Sequence, residues 1–105
     1  MANVADYIED VRRYDAGADT DTVGKIVKHL GIALSSKDSS LVSVSQPQEL
    51  DRVRTKWGVG KLGLDDAGSA ALVTKVGDEM SADRNKQRVT FYYLMAKHAN
   101  KLDML

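Results

Sequence analysis

The sequence predicts an all-α protein, a single compact domain of about five helices whose C-terminal helix is central and buried. Three observations support this fold class. Apolar residues recur at three- and four-residue intervals in four segments, which is the spacing of one helix face. The only proline, Pro47, stands where a helix would begin. The segment 89–96 is apolar on two sides, as expected of a helix that other helices surround.

The first two predicted helices are amphipathic. One runs from about Asn3 to Tyr14, with Asn3 as its N-cap. The second runs from about Asp21 to Leu34, with Asp21 as its cap. This second helix either ends at Gly31 or continues through it to Leu34.

Residues 35–45 contain six serines and predict a polar loop. Leu41, Val42 and Val44 lie within it, so we expect the loop to be anchored to the core through these side chains.

The third predicted helix begins with a capping serine, Ser45, followed three residues later by Gln48, with Pro47 in the first turn. Gly58 is expected to end this helix. The glycine-rich stretch 58–64 then predicts a tight connector whose leucines pack into the core.

The fourth helix is predicted from about Asp66 to Met80 and the fifth from about Asp83 to Asn100. The residues 89–92 also suit a β-strand. A helix is favoured because no glycine or proline interrupts the run and good helix formers continue it.

Composition restricts the class of protein. A chain of 105 residues predicts one domain. The absence of cysteine excludes disulfides, a thiolate zinc site and a cysteine nucleophile. The first ten residues lack the basic lead and apolar centre of a signal peptide, and no apolar run approaches the roughly 18 residues of a spanning helix. We therefore expect a soluble, cytoplasmic protein.

The formal net charge of zero results from four blocks that cancel. Residues 1–23 and 65–83 are acidic, and residues 24–64 and 84–105 are basic. Either the two basic blocks meet in space and form an anion-binding face, or acidic and basic blocks pack beside each other and neutralise.

The strongest candidate site is a basic cluster at the start of the predicted fifth helix. A helix start with free amides beside several cations is suited to phosphate or carboxylate. Alternatively, Arg84 and Arg88 pair with Asp78, Glu79 or Asp83 and hold the fourth helix against the fifth. The predicted anion- or nucleic-acid-binding residues are Lys61, Arg84, Asn85, Lys86 and Arg88, with Arg52, Arg54 and Lys56 extending the face.

Two stretches resemble a metal or a cofactor motif, but each lacks a feature that the motif requires. The acids from Asp19 onward resemble a calcium loop, but Leu30 occupies the position of the bidentate glutamate, so no metal site is predicted. The spacing Gly58-x-Gly60-x-x-Gly63 follows a helix rather than a strand, so no dinucleotide or other cofactor is predicted.

No catalytic residue is predicted. His29 and His98 are the only imidazoles, and no nucleophile motif accompanies them. Trp57, Tyr92 and Tyr93 suit either a platform for stacked bases or core packing, and their helical spacing favours the core.

Several of these motifs together resemble a small bacterial family catalogued as domain of unknown function 2853. The likeness lies in Pro47-x-Glu49-Leu50-x-x-Val53, Lys61-Leu62-Gly63-Leu64, Arg84-Asn85-Lys86-x-Arg88 and Tyr92-Tyr93-Leu94-x-x-Lys97-His98. It departs at Trp57-Gly58 and Gly60, where a phenylalanine, an aliphatic residue and a second lysine are expected. The resemblance implies a compact all-helical domain and carries no assigned reaction or ligand.

Three functional hypotheses follow. The leading one is a non-enzymatic domain that acts through protein contact, with a second copy of the chain as one candidate partner. The alternative is binding of an anion or nucleic acid through the basic cluster. An enzyme would need His98 beside a carboxylate in a pocket. No contact with a membrane is predicted.

Overall fold

The computed structural model describes residues 4–35 and 39–105. Within these ranges it contains five α-helices, a π-helix, two very short strands and three 3₁₀ turns at Val4–Asp6, Gly31–Ser35 and Leu102–Met104. The elements are α1 (Ile8–Tyr14), α2 (Thr20–Leu30), β1 (Leu41–Val42), α3 (Pro47–Arg52), the π-helix (Val53–Lys61), α4 (Asp66–Glu79), β2 (Lys86–Gln87) and α5 (Arg88–His98).

This architecture confirms the predicted all-α class. The radius of gyration is 12.3 Å, close to the roughly 13 Å of a compact domain of this length. Across the described ranges, no helix combines the length and the apolar character needed to cross a bilayer.

α5 lies at the centre of the molecule, as predicted. Every residue from Arg88 to Ala96 is buried, and the helix contacts α1, α2, α4 and the π-helix. Val89, Phe91 and Leu94 are fully buried. Burying each such side chain contributes about 1.5–3 kcal/mol, so α5 organises the core. The helical interpretation of this segment is confirmed over the strand.

α5 begins at Arg88 rather than at Asp83, which corrects the sequence prediction. Lys86 and Gln87 are extended and pair antiparallel with β1, Leu41 opposite Gln87. The Arg88 amide then donates to the Ser40 carbonyl at 2.8 Å. Pairing with a distant segment therefore overrides the helical tendency of residues 83–87.

Two other predicted helix starts are also wrong. α2 is capped by Asp19, whose carboxylate accepts from the Asp21 amide at 3.3 Å, so Asp21 lies inside the helix. α3 begins at Pro47 after Gln46, without a side-chain cap, so Ser45 does not cap it. The predicted cap Asn3 lies outside the described residues.

α2 ends at Gly31, which is one of the two alternatives predicted from the sequence. Gly31 ends the helix with a φ of 47°, a left-handed conformation that favours glycine. In the loop that follows, Val42 is buried, as expected of an anchor. Val44 is 38% exposed and does not serve as one.

Gly58 does not end the third helix, which continues as a π-helix to Lys61. The Leu62 amide donates to the Trp57 carbonyl at 2.9 Å, the five-residue spacing of a π-turn. A Cβ at Gly58 would overlap the Oγ of Ser69 on α4. Glycine is required here because the two helices approach closely, and Leu62 still packs into the core as predicted.

Candidate anion-binding cavity

A cavity of about 200 Å³ lies beside α5, between α2 and the π-helix. We call it the basic cavity, because three cationic side chains and an imidazole contribute to its wall. It is lined by His29, Leu30, Ala33, Ser39, Arg52, Lys56, Trp57, Arg88 and Tyr92.

Packed aromatic rings form one wall of the basic cavity. Trp57 stacks on Tyr92 with ring centroids 4.6 Å apart, and its Nε1 donates to the Tyr92 carbonyl at 3.0 Å. The His29 ring lies 5.1 Å from Trp57 at a tilt of 59°. Trp57 is only 1% exposed. A stacking platform for bases needs an open ring face, so the core-packing interpretation of Trp57 is confirmed.

Arg88 lines the basic cavity but is engaged by the protein itself. Its Nε donates to the Ser39 carbonyl at 2.7 Å, its Nη1 to the Tyr92 hydroxyl at 3.2 Å and its Nη2 to the Leu41 carbonyl at 3.2 Å. Nη2 also pairs with Glu49. The guanidinium is 5% exposed, and a buried charge requires such partners. Arg88 therefore connects α5 to α3 and to the segment 39–41.

Arg52 and Lys56 differ from Arg88, because both are exposed. Neither side chain forms an ion pair with any residue in the ranges 4–35 and 39–105. Lys56 lies on the π-helix, and such π segments are frequent at functional sites. With the charge of Arg88 offset by Glu49, these two cations leave the wall with excess positive charge.

His29 stands in the last turn of α2 at the edge of the basic cavity. Although much of the residue is exposed, its ring packs against Trp57. Partial burial lowers the pKa of His29, and the nearby charge of Lys61 lowers it further. Both effects disfavour the imidazolium, so His29 is neutral at pH 7 in the unoccupied protein.

The structure separates the five residues that the sequence grouped. Arg84, Asn85 and Lys86 lie together in a second cavity of about 540 Å³, with Leu41, Val42, Ser43 and Gln46. Arg88 faces the basic cavity instead, and Lys61 acts on His29. The later start of α5 accounts for this division, because Arg84 and Arg88 do not share a helix face.

The alternative pairing of Arg84 and Arg88 with the acids of 78–83 is also absent from the described residues. Asp83 instead accepts from Arg13 at 2.6 Å and from the Tyr14 hydroxyl at 2.7 Å. Lys86 is 8% exposed, and its Nζ donates to the Asp83 carbonyl at 2.8 Å. Arg84 and Asn85 are exposed members of the second cavity, as is Gln46.

His98 lies beside a carboxylate but outside both cavities. Its Nε2 is 2.8 Å from Glu79 Oε1, which joins the end of α5 to the end of α4. No group of three His, Asp or Glu side chains in the described part of the chain could hold a metal ion.

Sequence reasoning missed His29 as a member of the site, and it treated Arg52 and Lys56 only as an extension. The signal present in the sequence was the basic block that spans residues 24–64. The π-helix has no comparable signal, since the glycines at 58 and 60 also suit a helix end.

These features define a small helical domain with a basic cavity beside its central helix. The chain belongs to the family described as Protein of unknown function (DUF2853), whose family model matches residues 6–103. This match confirms the resemblance found in the sequence. A comparison with the curated proteins gave no match.

Proposed function

We propose that this chain is a non-enzymatic binding domain that holds a small anion in the basic cavity. The observation that carries the proposal is the pair of cations Arg52 and Lys56, which line the cavity and have no ion-pair partner among the described residues. The nearby Glu49 is already paired with Arg88. Of the alternatives predicted from the sequence, this arrangement supports anion binding over protein contact.

The size and chemistry of the cavity support a compact ligand. A volume of about 200 Å³ is below the roughly 300–1,000 Å³ of sites for larger small molecules. Arg52 offers a planar fork for an oxyanion, and Lys56 offers a mobile point charge. The Trp57 face is covered by Tyr92, which argues against a stacked base.

A non-enzymatic role is part of the proposal. His29 is the one imidazole at the cavity, and it forms no hydrogen bond to a residue in the described ranges. The Ser39 hydroxyl donates to the Ala33 carbonyl, so it is not positioned by His29 as a nucleophile. We also propose the cytoplasm as the compartment, because a cysteine-free chain suits reducing conditions.

The test is a titration with inorganic phosphate at low ionic strength, followed by the backbone amide signals of residues 52–57. We expect these signals to shift in the wild type. In the double variant Arg52→Ala/Lys56→Ala, affinity should fall about tenfold, since each partly exposed charge contributes up to about 1 kcal/mol. Lys75→Ala, an exposed cation on α4, is the matched control.

A parallel titration with a short single-stranded oligonucleotide separates the two basic sites. Shifts confined to the amides of residues 84–86, abolished by Arg84→Ala, would favour the cluster predicted from the sequence. If phosphate shifts no signal in the wild type, or shifts them equally in the double variant, the basic cavity is not an anion site.

Protein contact is the second candidate, and one observation favours it. Val44, one of the exposed large apolar side chains, lines a groove of about 380 Å³ with Leu50 and Val73. Exposed apolar surface of this kind suits self-association as a homodimer. Light scattering over a range of concentrations tests it. The wild type should associate and Val44→Asp should not, whereas a wild type that stays monomeric excludes the homodimer.

A further inference from the structure

We infer that the basic cavity takes a compact, doubly charged oxyanion and that His29 takes up a proton when this ligand binds. The inference rests on the proposed function and adds the ligand class and its coupling to pH.

Burial and a nearby cation hold His29 neutral. Its ring packs on Trp57, and Lys61 lies close enough to oppose a second positive charge. The position of His29 in the last turn of α2 would otherwise favour the imidazolium, because the carboxyl end of a helix is negative. Burial of the ring and, to a smaller extent, the charge of Lys61 therefore outweigh the helix end.

The charged and titratable groups at or beside the basic cavity come from three other elements. They are Glu49 and Arg52 from α3, Lys56 and Lys61 from the π-helix, and Arg88 and Tyr92 from α5. Glu49 is engaged with Arg88. Lys61 is the cation that lowers the pKa of His29. Arg52 and Lys56 share the cavity wall with His29. None of these three cations has a paired carboxylate among the described residues.

A ligand with two negative charges reverses this balance. Its charge attracts an imidazolium at the cavity wall and offsets the charge of Lys61. Its several oxygens accept hydrogen bonds from donors at the wall. A neutral imidazole offers one donor, whereas an imidazolium offers two. The pKa of His29 must then be higher in the complex than in the free protein.

The sign of the pH dependence follows from linkage. A group whose pKa rises on binding strengthens binding fully below its free pKa, and this contribution is lost as pH rises through the pKa of the complex. Affinity should therefore fall as pH increases, by at most tenfold per pH unit between the two pKa values.

Volume limits the ligand as well as charge. The roughly 200 Å³ cavity accommodates sulfate, inorganic phosphate or the phosphate of a small monoester. All three have a tetrahedral centre, and each carries two charges in its dianionic form. A monoanion such as chloride offsets less of the positive charge and should not change the protonation of His29.

The experiment uses sulfate, because sulfate keeps both charges between about pH 5 and pH 8, the range in which histidine changes charge. Phosphate monoesters themselves titrate near about pH 6. The His29 ring signal is followed by NMR over this range, with and without saturating sulfate. Calorimetry in two buffers of different ionisation heat counts the protons taken up.

We expect sulfate to raise the pKa of His29 and to bind more weakly as pH rises. His29→Gln should bind sulfate with an affinity that does not depend on pH and with no proton uptake. His98→Gln removes the other imidazole, which pairs with Glu79 outside the cavity, and should keep the wild-type behaviour.

Each other outcome has a distinct meaning. Sulfate binding that leaves the pKa of His29 unchanged overturns this inference and leaves the anion site intact. Equal proton uptake with chloride shows that the ligand class is wrong. Absence of binding by sulfate, phosphate and glycerol phosphate overturns the proposed function itself. If the site holds, tighter binding of glycerol phosphate than of phosphate identifies a monoester as the ligand, and equal affinity identifies the free oxyanion.

Discussion

On the side of α5 that faces α1, carboxylates meet hydroxyl groups, whereas at the basic cavity two cations have no partner in the described part of the chain. Asp15 accepts from the Tyr93 hydroxyl at 2.7 Å, and Asp10 accepts from the Thr90 hydroxyl. Arg52 and Lys56 have no such partners within residues 4–35 and 39–105. The same helix therefore separates a paired region from an unpaired one.

The ionisation of the paired region follows from its hydrogen bonds. The Tyr93 hydroxyl lowers the pKa of Asp15, and Arg13 lowers the pKa of Asp83. Burial, together with the hydrogen bond to Asp83, raises the pKa of Tyr14 to about 12. Groups that are matched in this way stabilise the fold. Exposed cations without partners contribute little to stability, so the difference points to binding at the basic cavity.

The largest effect should come from Arg88, the one cavity cation that is fully engaged. Arg88→Met leaves the charge of the Glu49 carboxylate uncompensated. It also removes the donor to the Ser39 and Leu41 carbonyls. We expect the free energy of unfolding to fall by about 3–5 kcal/mol, measured by urea denaturation. Arg84→Met is the matched control, since Arg84 is exposed, and should change stability by less than about 0.5 kcal/mol.

The partner variant makes this prediction more stringent. Glu49→Leu combined with Arg88→Met removes both charges, so the double variant should be more stable than Arg88→Met alone. If the double variant loses the sum of the two single losses, the pair is not the source of the effect.

Two adjacent tyrosines on α5 allow a direct comparison, because Tyr93 lies in the paired region and Tyr92 lines the basic cavity. Tyr93→Phe removes the hydrogen bond to Asp15, and we expect the free energy of unfolding to fall by about 1.5 kcal/mol. This is the lower end of the range for a hydrogen bond to a charged group, because Asp15 is partly exposed. Tyr92→Phe should cost less, because Arg88 keeps its other acceptors. Thermal denaturation measures both. A larger loss in Tyr92→Phe would mean that the cavity side carries the stabilising hydrogen bonds.

Acid titration examines the paired region by another route. The pKa of Asp83 is depressed in the folded state, chiefly by Arg13 and also by Tyr14. Asp83 therefore stabilises the fold at pH values above the usual pKa of an aspartate. This stabilisation is lost as pH falls through the lower pKa of the folded state. Asp83→Asn should cost about 1 kcal/mol at pH 7. It should also reduce the loss of stability below about pH 5.

The measurement is urea denaturation at a series of pH values. Asp103→Asn, at an exposed carboxylate, is the control and should keep the wild-type profile. An unchanged acid profile in Asp83→Asn would show that the Arg13 and Tyr14 contacts do not affect stability.

The sequence predicted α5 well because its evidence is local. A run that is apolar on two sides, such as Val89 to Ala96, requires burial whatever surrounds it. The N-terminus of the same helix was misplaced because Lys86 and Gln87 pair with β1, more than forty residues earlier in the chain. The candidate site depends on that start, so an error in one boundary placed Arg84 beside Arg88.

The basic cavity itself was not predictable, for a related reason. His29, Arg52 and Arg88 come from three elements, which meet where Trp57 packs against His29 and Tyr92. The Ser69 hydroxyl determines that position 58 must be glycine. Such a close approach between helices leaves no periodic signal in the sequence.

The smallest expected effect provides the most decisive test of the comparison. Arg52→Ala/Lys56→Ala should leave the free energy of unfolding within about 0.5 kcal/mol of the wild type at low salt, because neither cation has an ion-pair partner among the described residues. A slight gain is expected, since two like charges at one cavity wall are removed. Added salt should stabilise the wild type relative to the variant, because screening weakens the same repulsion. A loss above 1 kcal/mol would give these cations a role in the fold, and the unpaired region would then be no different from the paired one.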